Sequence, residues 1–211
     1  MYVPEAFAET DLTTLHALMR EHPLATVVSL CGDQLQASHV PLVLYPDEGP
    51  FGTLRGHLAR ANPHWSTHDR AVDALCVFHG PEAYITPSWY ESKKEHGKVV
   101  PTWNYVTVHA SGPLNVVKDA DWLLRNVNAV TDQQEAQRAE RWKVSDAPDR
   151  YVQTMLRGIV GIEICIAQIE GKWKLSQNRP DEDRKGVVHG LAAEHGDEDA
   201  ISRITAERAG P

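Results

Sequence analysis

Hydrophobic and polar residues follow a helical period at the start of the chain. Apolar side chains recur there at spacings of three and four, at Leu12, Leu15, Leu18 and Met19. This spacing places them on one face of a helix, and Asp11 precedes them as a residue that can cap the first turn. Pro23 then stops the pattern. We predict an amphipathic helix over residues 11–22.

Beyond Pro23 the chain changes to short runs of β-branched and aromatic residues separated by turn residues, which is typical of strands. The predicted extended segments are residues 25–30, 34–45, 51–57, 73–80, 82–90, 103–117 and 159–178. Turns are expected at Gly80-Pro81, Gly112-Pro113 and Glu170-Gly171. In the last segment, strand alternation puts four apolar side chains on one face: Val160, Ile162, Ile164 and Ile166.

Two further helical patterns occur late in the chain, over residues 119–141 and 149–158. We group them as a helical insert of about residues 119–157. A charged tail of about residues 180–211 follows the last strands and is expected to finish on the surface. Successive strands with small turns, and helices grouped rather than alternating with them, predict a mainly β fold. We expect an antiparallel, nearly closed barrel with peripheral helices.

With 211 residues the chain is long enough for one sizeable core, and we predict a single domain over residues 1–211. No apolar run approaches the roughly 18 residues of a spanning helix, and the N-terminal MYVPEAFAETDL lacks an apolar signal core. We therefore expect a cytoplasmic protein with no membrane partner. Cys31, Cys76 and Cys165 lie far apart in apolar segments, which predicts small buried side chains rather than a disulfide framework.

The net charge of −8 repels phosphate backbones, so nucleic-acid binding would require a local basic patch or a partner. The densest basic stretches, residues 93–98 and 179–185, are interrupted by acidic residues. The common phosphate-loop, dinucleotide, hydrolase and zinc-protease motifs are absent. His64 and His68 supply only two metal ligands, so we predict an exposed histidine pair and no metal site.

Three segments gather groups that suit a bound ligand. Residues 54–65 run from a strand into a turn whose backbone N–H groups and Arg60 can contact a phosphate. Residues 80–90 and 100–105 carry four aromatic residues with small polar ones among them, the mixture that a flat heteroaromatic ring needs. Residues 171–179 end a strand in a polar cluster. The alternatives are an ordinary strand corner, aromatic packing at a barrel end and a solvated strand end.

Several segments, in order and spacing, resemble the PaiB-type FMN-binding negative transcriptional regulators. They are YVPEAF, DLTTLHALMREHPLATVVS, SHVPL, GHLARANPHW, VFHGPEAYITPSWY, VPTWNYVTVHASG, KLSQNR and RKGVVHGL. The resemblance runs over nearly all of the chain. It implies an FMN-binding split β-barrel, a homodimer, and FMN bound at the subunit interface.

The resemblance also implies which residues bind FMN. On the phosphate and ribityl side it indicates His57, Arg60 and Asn62. Beside the flavin ring it indicates Trp89, Tyr90, Thr102, Trp103 and Asn104. Further contacts, contributed by the other subunit, are expected from Gln177, Asn178 and Arg179.

Two functions stay open at this point. The family name indicates a regulator that represses transcription, with FMN as a bound cofactor or sensor and DNA as a direct or indirect partner. The chain has no recognisable helix-turn-helix, however, and its acidic balance offers no DNA-reading element. The alternative is an FMN-dependent oxidoreductase of the split-barrel class, such as a flavin reductase or oxidase or a haem-degrading enzyme. The sequence assigns no catalytic residue.

Overall fold

The computed structural model describes residues 1–196 and 199–209. Within them the strands are β1 Ala8–Glu9, β2 Leu24–Cys31, β3 Gln34–Pro41, β4 Val43–Tyr45, β5 Thr53–Ala59, β6 Ala74–Ile85, β7 Thr102–Gly112, β8 Leu114–Val117, β9 Ile159–Cys165 and β10 Gln168–Lys174. The α-helices are α1 Leu12–Glu21, α2 His64–Thr67, α3 Ser92–His96, α4 Ala120–Glu135, α5 Asp149–Arg157, α6 Asp181–His195 and α7 Ala200–Ala209. None of these helices is both long enough and apolar enough to cross a bilayer.

The strands form two sheets with helices beside them. One sheet has six strands in the order β1-β10-β7-β6-β2-β3, and the other has four in the order β4-β5-β9-β8. The pairs of known register, such as β2 with β3 and β5 with β9, are antiparallel. The mainly β, antiparallel architecture with peripheral helices is therefore confirmed.

Contacts divide the chain into two compact units, each built from separate segments. The first unit comprises residues 1–11, 79–108 and 170 onward, and the second comprises residues 12–78 and 109–169. Strands β6 and β7 each contribute residues to both units. The single domain predicted from chain length stays a prediction.

The second unit has its core in the ladder between β5 and β9. Opposite residues in this ladder include Leu54 with Ile164 and Leu58 with Val160. All four side chains are at most 6% exposed, because strand alternation directs them to the same face. Since β9 is buried as predicted, its apolar face can stabilise the sheet by roughly 1.5–3 kcal/mol for each fully buried side chain.

Within the second unit, helix α4 packs against β9 where the strand has a glycine. A Cβ atom at Gly161 would lie 2.3 Å from Cζ3 of Trp122, a distance that no ordinary side chain can occupy. Glycine therefore allows the indole to lie directly on the strand backbone. Asp119 caps the helix, since its side chain accepts a hydrogen bond of 2.7 Å from the backbone N–H of Trp122. Helices α4 and α5 both lie within residues 119–157, the range of the predicted helical insert.

The first unit ends in two packed helices, α6 and α7, where we expected a charged tail on the surface. Val187, Leu191 and Ile201 are buried there. Gly186 and Gly190 lie four residues apart on α6, and a Cβ at Gly190 would be 2.3 Å from the indole of Trp89. The sequence of this segment predicts a helix poorly, because it contains two glycines and many charged residues. The same two glycines lack a Cβ and so leave room for Trp89 to pack against α6.

Two predicted turns were wrong. Gly80-Pro81 lies inside β6, where the extended backbone that proline favours continues the strand. Glu170-Gly171 lies inside β10, where Gly171 pairs with Glu9 of β1. The chain turns earlier, because Ile166 and Ala167 donate their N–H groups to the carbonyls of Gly52 and Ser111. Strands β9 and β10 consequently belong to different sheets and do not form the predicted hairpin.

The three cysteines are free in the structure. Cys76 is fully buried, and burial raises the pKa of its thiol to about 12. Cys31 and Cys165 are only partly buried, so the predicted burial holds fully for one cysteine of the three.

Truncation of the β5 core should reduce stability strongly. We expect Leu54→Ala to lower the free energy of unfolding by about 2–5 kcal/mol, because Leu54 is fully buried and its truncation removes apolar contacts and leaves a cavity. The matched control Leu35→Ala removes a side chain that is 76% exposed and should change it by less than about 0.5 kcal/mol. Urea unfolding measures both. Equal losses in the two variants would contradict the assigned core.

Candidate functional site

The first predicted segment lies in the second unit, where β5 ends at a corner before α2. His57 is partly buried, and its Nδ1 lies 3.2 Å from Nδ2 of Asn126 on α4. Burial lowers the pKa of the His57 imidazole. A neutral His57 accepts a hydrogen bond at Nδ1 from the Asn126 amide in this arrangement. His57 therefore contacts the helical insert.

Arg60 is exposed and partly engaged by backbone. Its Nε donates to the carbonyl of Arg157 at 2.7 Å, and one Nη donates to the carbonyl of Ile159 at 3.0 Å. These bonds attach the end of β5 to the start of β9. The remaining N–H groups of the guanidinium form no hydrogen bond in the described structure and can donate to an anion.

Asn62 and His64 belong to a buried polar network with two strand serines. The imidazole of His64 is fully buried, with Nε2 at 2.6 Å from Ser29 Oγ and Nδ1 at 2.9 Å from Ser38 Oγ. Asn62 accepts the backbone N–H of His64 at Oδ1 and donates to Ser38 Oγ. Both side chains hold the corner to strands β2 and β3.

The prediction of an exposed histidine pair was wrong. His68 is also buried, at 8%, and its Nε2 lies 3.2 Å from the carbonyl of Leu114. Sequence spacing put the two histidines on one helical face, but α2 is only four residues long and faces the sheet. No group of three or more potential ligands among His, Cys, Asp and Glu occurs in the described residues.

Lys118 is a basic residue at this corner that the sequence did not indicate. Its Nζ lies 4.7 Å from the ring centre of Trp65, and the Trp65 indole N–H donates to the carbonyl of Arg60. The corner thus presents two cations, Arg60 and Lys118, on exposed surface. Only tertiary contact brings Lys118 there, because it lies more than 50 residues away in the chain.

The other two predicted segments lie in the first unit and contact each other. Lys174 Nζ donates to Thr102 Oγ1 at 2.6 Å and to the carbonyl of Trp103. Burial, followed by the charges of Lys172 and Arg179, lowers the pKa of Lys174. The positive charges of Lys172, Lys174 and Arg179 therefore lie close together at a partly buried position, and this concentration of charge favours binding of an anion.

Four described side chains in this unit bury a polar atom that has no hydrogen-bond partner: Tyr90, Asn104, Arg184 and Thr205. Asn104 is fully buried and accepts a hydrogen bond from Ser176 Oγ at 3.0 Å, but its Nδ2 has no acceptor. The hydroxyl of Tyr90 is also unpartnered, and the ring of this 1% exposed side chain is covered by Arg179 at 4.7 Å. Unmet donors of this kind cost about 1–3 kcal/mol each, so a bound acceptor would stabilise the site.

The remaining predicted residues of the first unit have mixed environments. Trp103 is 51% exposed and forms an edge-to-face pair with Tyr84, with ring centres 5.9 Å apart. Trp89 instead packs against α6. Gln177 bonds within its own turn, accepting from the N–H of Leu175 and donating to the carbonyl of Trp173. Asn178 is exposed at the tip of this turn.

Comparisons with known proteins identify the family. The family model described as "Putative FMN-binding domain" matches residues 1–168. The chain belongs to this FMN-binding family. A Bacillus subtilis relative named protease synthase and sporulation protein PAI 2 is 31% identical, with 92% of this chain and 90% of the relative covered. An uncharacterized protein of Emericella nidulans is 34% identical, with 90% of each chain covered.

Solved structures show the same fold at low identity. The FAD and heme binding protein from Mycobacterium smegmatis has a TM-score of 0.59 at 19% identity, covering 83% of this chain and 78% of that one. The flavocytochrome Anf3 from Azotobacter vinelandii has a TM-score of 0.58 at 13% identity, covering 82% and 72%. The predicted split-barrel fold is confirmed, and FMN is the cofactor of this FMN-binding protein.

Each unit, taken by itself, offers groups that suit one part of FMN. A phosphomonoester needs cations and N–H donors, and the second unit offers Arg60 and Lys118 on its exposed corner. A flavin ring offers carbonyl and nitrogen acceptors on a flat surface. The first unit offers the unpartnered amide of Asn104 and the half-exposed indole of Trp103. The individual contacts of His57, Arg60 and Asn62, and those of the aromatic and 177–179 segments, stay predictions.

Acid should destabilise the FMN-binding protein through its buried histidines. Because burial lowers the folded-state pKa of His57 and His64, the unfolded chain binds more protons below its ordinary histidine pKa of about 6.5. We expect unfolding free energy to be retained above pH 6.5 and to fall by up to about 1.4 kcal/mol per pH unit per histidine below it.

Urea unfolding at pH 7.5, 6.5 and 5.5 measures this slope. His64→Gln should weaken the dependence on pH, although it also lowers the overall stability by removing the serine contacts. His79→Gln replaces an exposed histidine and serves as the control. A slope that is identical in His64→Gln and the control would show that His64 contributes nothing to the acid sensitivity.

Proposed function

We propose that this protein is a flavin-dependent regulator that binds FMN at the interface of a homodimer. The observation that carries the flavin site is the unpartnered, fully buried amide of Asn104, in the same unit as Lys172, Lys174 and Arg179. An amide donor without an acceptor suits a flavin carbonyl, and the cations favour the electron-rich end of the ring or an anionic reduced flavin. The regulatory role is supported by the printed name of the Bacillus subtilis relative.

We assign the phosphate and ribityl side of FMN to His57, Arg60 and Asn62. Arg60 contributes the direct charge, because its guanidinium retains unused N–H donors at an exposed position. Asn62 and His57 act through the corner that they hold in place. FMN supplies the redox chemistry when bound, and the protein orients it and excludes water.

We assign the ring side to the aromatic segments of the first unit. Trp103 offers an exposed flat surface, and Thr102 and Asn104 offer polar atoms beside it. Trp89 and Tyr90 support that surface from within, since both pack against the C-terminal part of the unit. Gln177, Asn178 and Arg179 are proposed to contact the flavin bound to the second copy.

Regulation is proposed to act in the cytoplasm and without direct reading of DNA. A chain with a net charge of −8 is repelled by phosphate backbones. Helix α6 also begins with two exposed acidic residues, Asp181 and Glu182. A change in flavin state would then be transmitted to a protein partner or to the dimer, and DNA would be an indirect partner.

An FMN-dependent oxidoreductase is the second candidate. It is favoured by the exposure of Trp103 and Tyr84, at 51% and 49%, because an enzyme needs an open apolar surface on which a second planar molecule can approach the flavin. A regulator that only senses the flavin needs no such opening.

Loss of one cation should weaken FMN binding. We expect Lys174→Gln to raise the dissociation constant of FMN by at least about tenfold, because it removes a partly buried charge and its bond to Thr102. Asn104→Leu should do the same by removing the amide donor. The control Lys94→Gln removes an exposed lysine that pairs only with Glu91 and should bind FMN normally. Titration followed by flavin fluorescence measures all three.

The visible spectrum of the purified protein, followed during addition of reduced nicotinamide in air, separates the two functions. Flavin bands with sustained turnover would establish the oxidoreductase, and Trp103→Ala should then abolish the rate. Flavin bands without turnover would favour the regulator. A colourless protein that takes up no added FMN would contradict both proposals.

A further inference from the structure

Helix α4 and the outer face of the four-stranded sheet enclose a small pocket within the second unit. Its volume is about 240 Å³, and it is lined by Tyr45, Arg55, Trp122, Arg125 and Asn126. This volume lies below the roughly 300–1,000 Å³ of pockets that hold drug-sized ligands, so FMN is too large for it. The pocket suits a ligand of one ring.

Two aromatic side chains supply the apolar part of the lining. The guanidinium of Arg55 lies over the ring of Tyr45, 4.3 Å from its centre. Trp122 is held against the backbone of Gly161. Both rings are partly exposed and held by neighbouring groups, so they can contact a planar molecule without large rearrangement.

The two arginines of the pocket differ in their partners. Arg55 donates to Glu163 at 2.7 Å and to both carboxylate oxygens of Glu48 at 3.1 and 2.6 Å, so two carboxylates already pair with its guanidinium. Arg125 is exposed and makes no hydrogen bond or ion pair with any described residue. A cation that lines a pocket without a counter-charge favours an anionic ligand.

Asn126 supplies a second, independent indication of a ligand. Its side chain is only 2% exposed and lines the pocket, and its Oδ1 has no hydrogen-bond partner. The other amide atom is occupied by His57 Nδ1. Exchange of the amide oxygen and nitrogen leaves one atom unpartnered in either orientation, so the buried amide lacks one partner that a bound polar group would supply.

We propose that this pocket binds a small aromatic carboxylate. The carboxylate would pair with the guanidinium of Arg125 and accept a hydrogen bond from the Asn126 amide, whose oxygen would then face His57. The ring would lie against Tyr45 and Trp122. Such a ligand pairs with the charge, hydrogen-bonds to the amide and stacks on the aromatic lining at the same time. An aliphatic or neutral ligand would leave at least one of these groups without a partner.

Benzoate is the probe for this proposal, added at constant ionic strength to the FMN-loaded protein. We expect saturable binding with a dissociation constant of roughly 0.1–1 mM. The indole N–H signal of Trp122 in a proton–nitrogen NMR spectrum reports on the pocket, and Trp122→Phe identifies that signal. Flavin absorbance is recorded in the same titration.

Charge is tested by a variant and by a neutral isostere. Arg125→Gln should weaken benzoate binding by at least about tenfold, and benzamide should bind the unchanged protein more weakly by a similar factor. Arg138→Gln removes an exposed arginine that does not line the pocket and should leave binding unchanged. Arg125 is exposed, so its substitution should not prevent folding.

Three results would overturn the proposal. These are a Trp122 signal that does not saturate, equal affinity for benzoate in Arg125→Gln and Arg138→Gln, and release of flavin as benzoate binds. The last would mean that the pocket is part of the flavin site. A protein that binds no FMN would contradict the proposed function, whereas benzoate binding to it would still support this pocket.

Discussion

The antiparallel ladder between β5 and β9 is the constraint on which the second unit depends. Its inner face buries Leu54, Leu58 and their partners on β9, while its outer face carries Arg55 and His57. Because alternation is strict, the residues that close the core also determine which groups face α4. The corner that carries Arg60 and Asn62 begins where this ladder ends.

Some buried polar groups of the protein have all their hydrogen-bond partners within the chain, whereas others lack a partner that a ligand could supply. Both ring nitrogens of His64 have a hydrogen-bond partner, Ser29 or Ser38, so this imidazole stabilises the fold and has no nitrogen free for a ligand. Asn104 and Asn126 each retain one unpartnered amide atom. Since native proteins rarely bury an unmet polar group, the two amides are physical signs of binding sites.

The sequence predicted the candidate FMN site only in part. Strand-end polar residues and aromatic loops indicated three segments, and the structure brings residues of two of them together: Thr102, Trp103 and Asn104 contact the 171–179 segment. It did not predict Lys118, which reaches the corner through Trp65. Nor did it predict the burial of His64, because a four-residue helix turns its side chain inward only in the presence of the sheet.

By itself, the sequence determined most of the extended segments, the first helix, the helical character of residues 119–157 and the absence of common nucleotide motifs, because these follow from local periodicity and spacing. The tertiary structure alone decided that β9 and β10 part into different sheets, since strand pairing depends on distant partners such as Glu9 for Gly171. It also decided that the charged tail forms helices, because Gly186 and Gly190 weaken a helix locally but allow α6 to pack directly against Trp89.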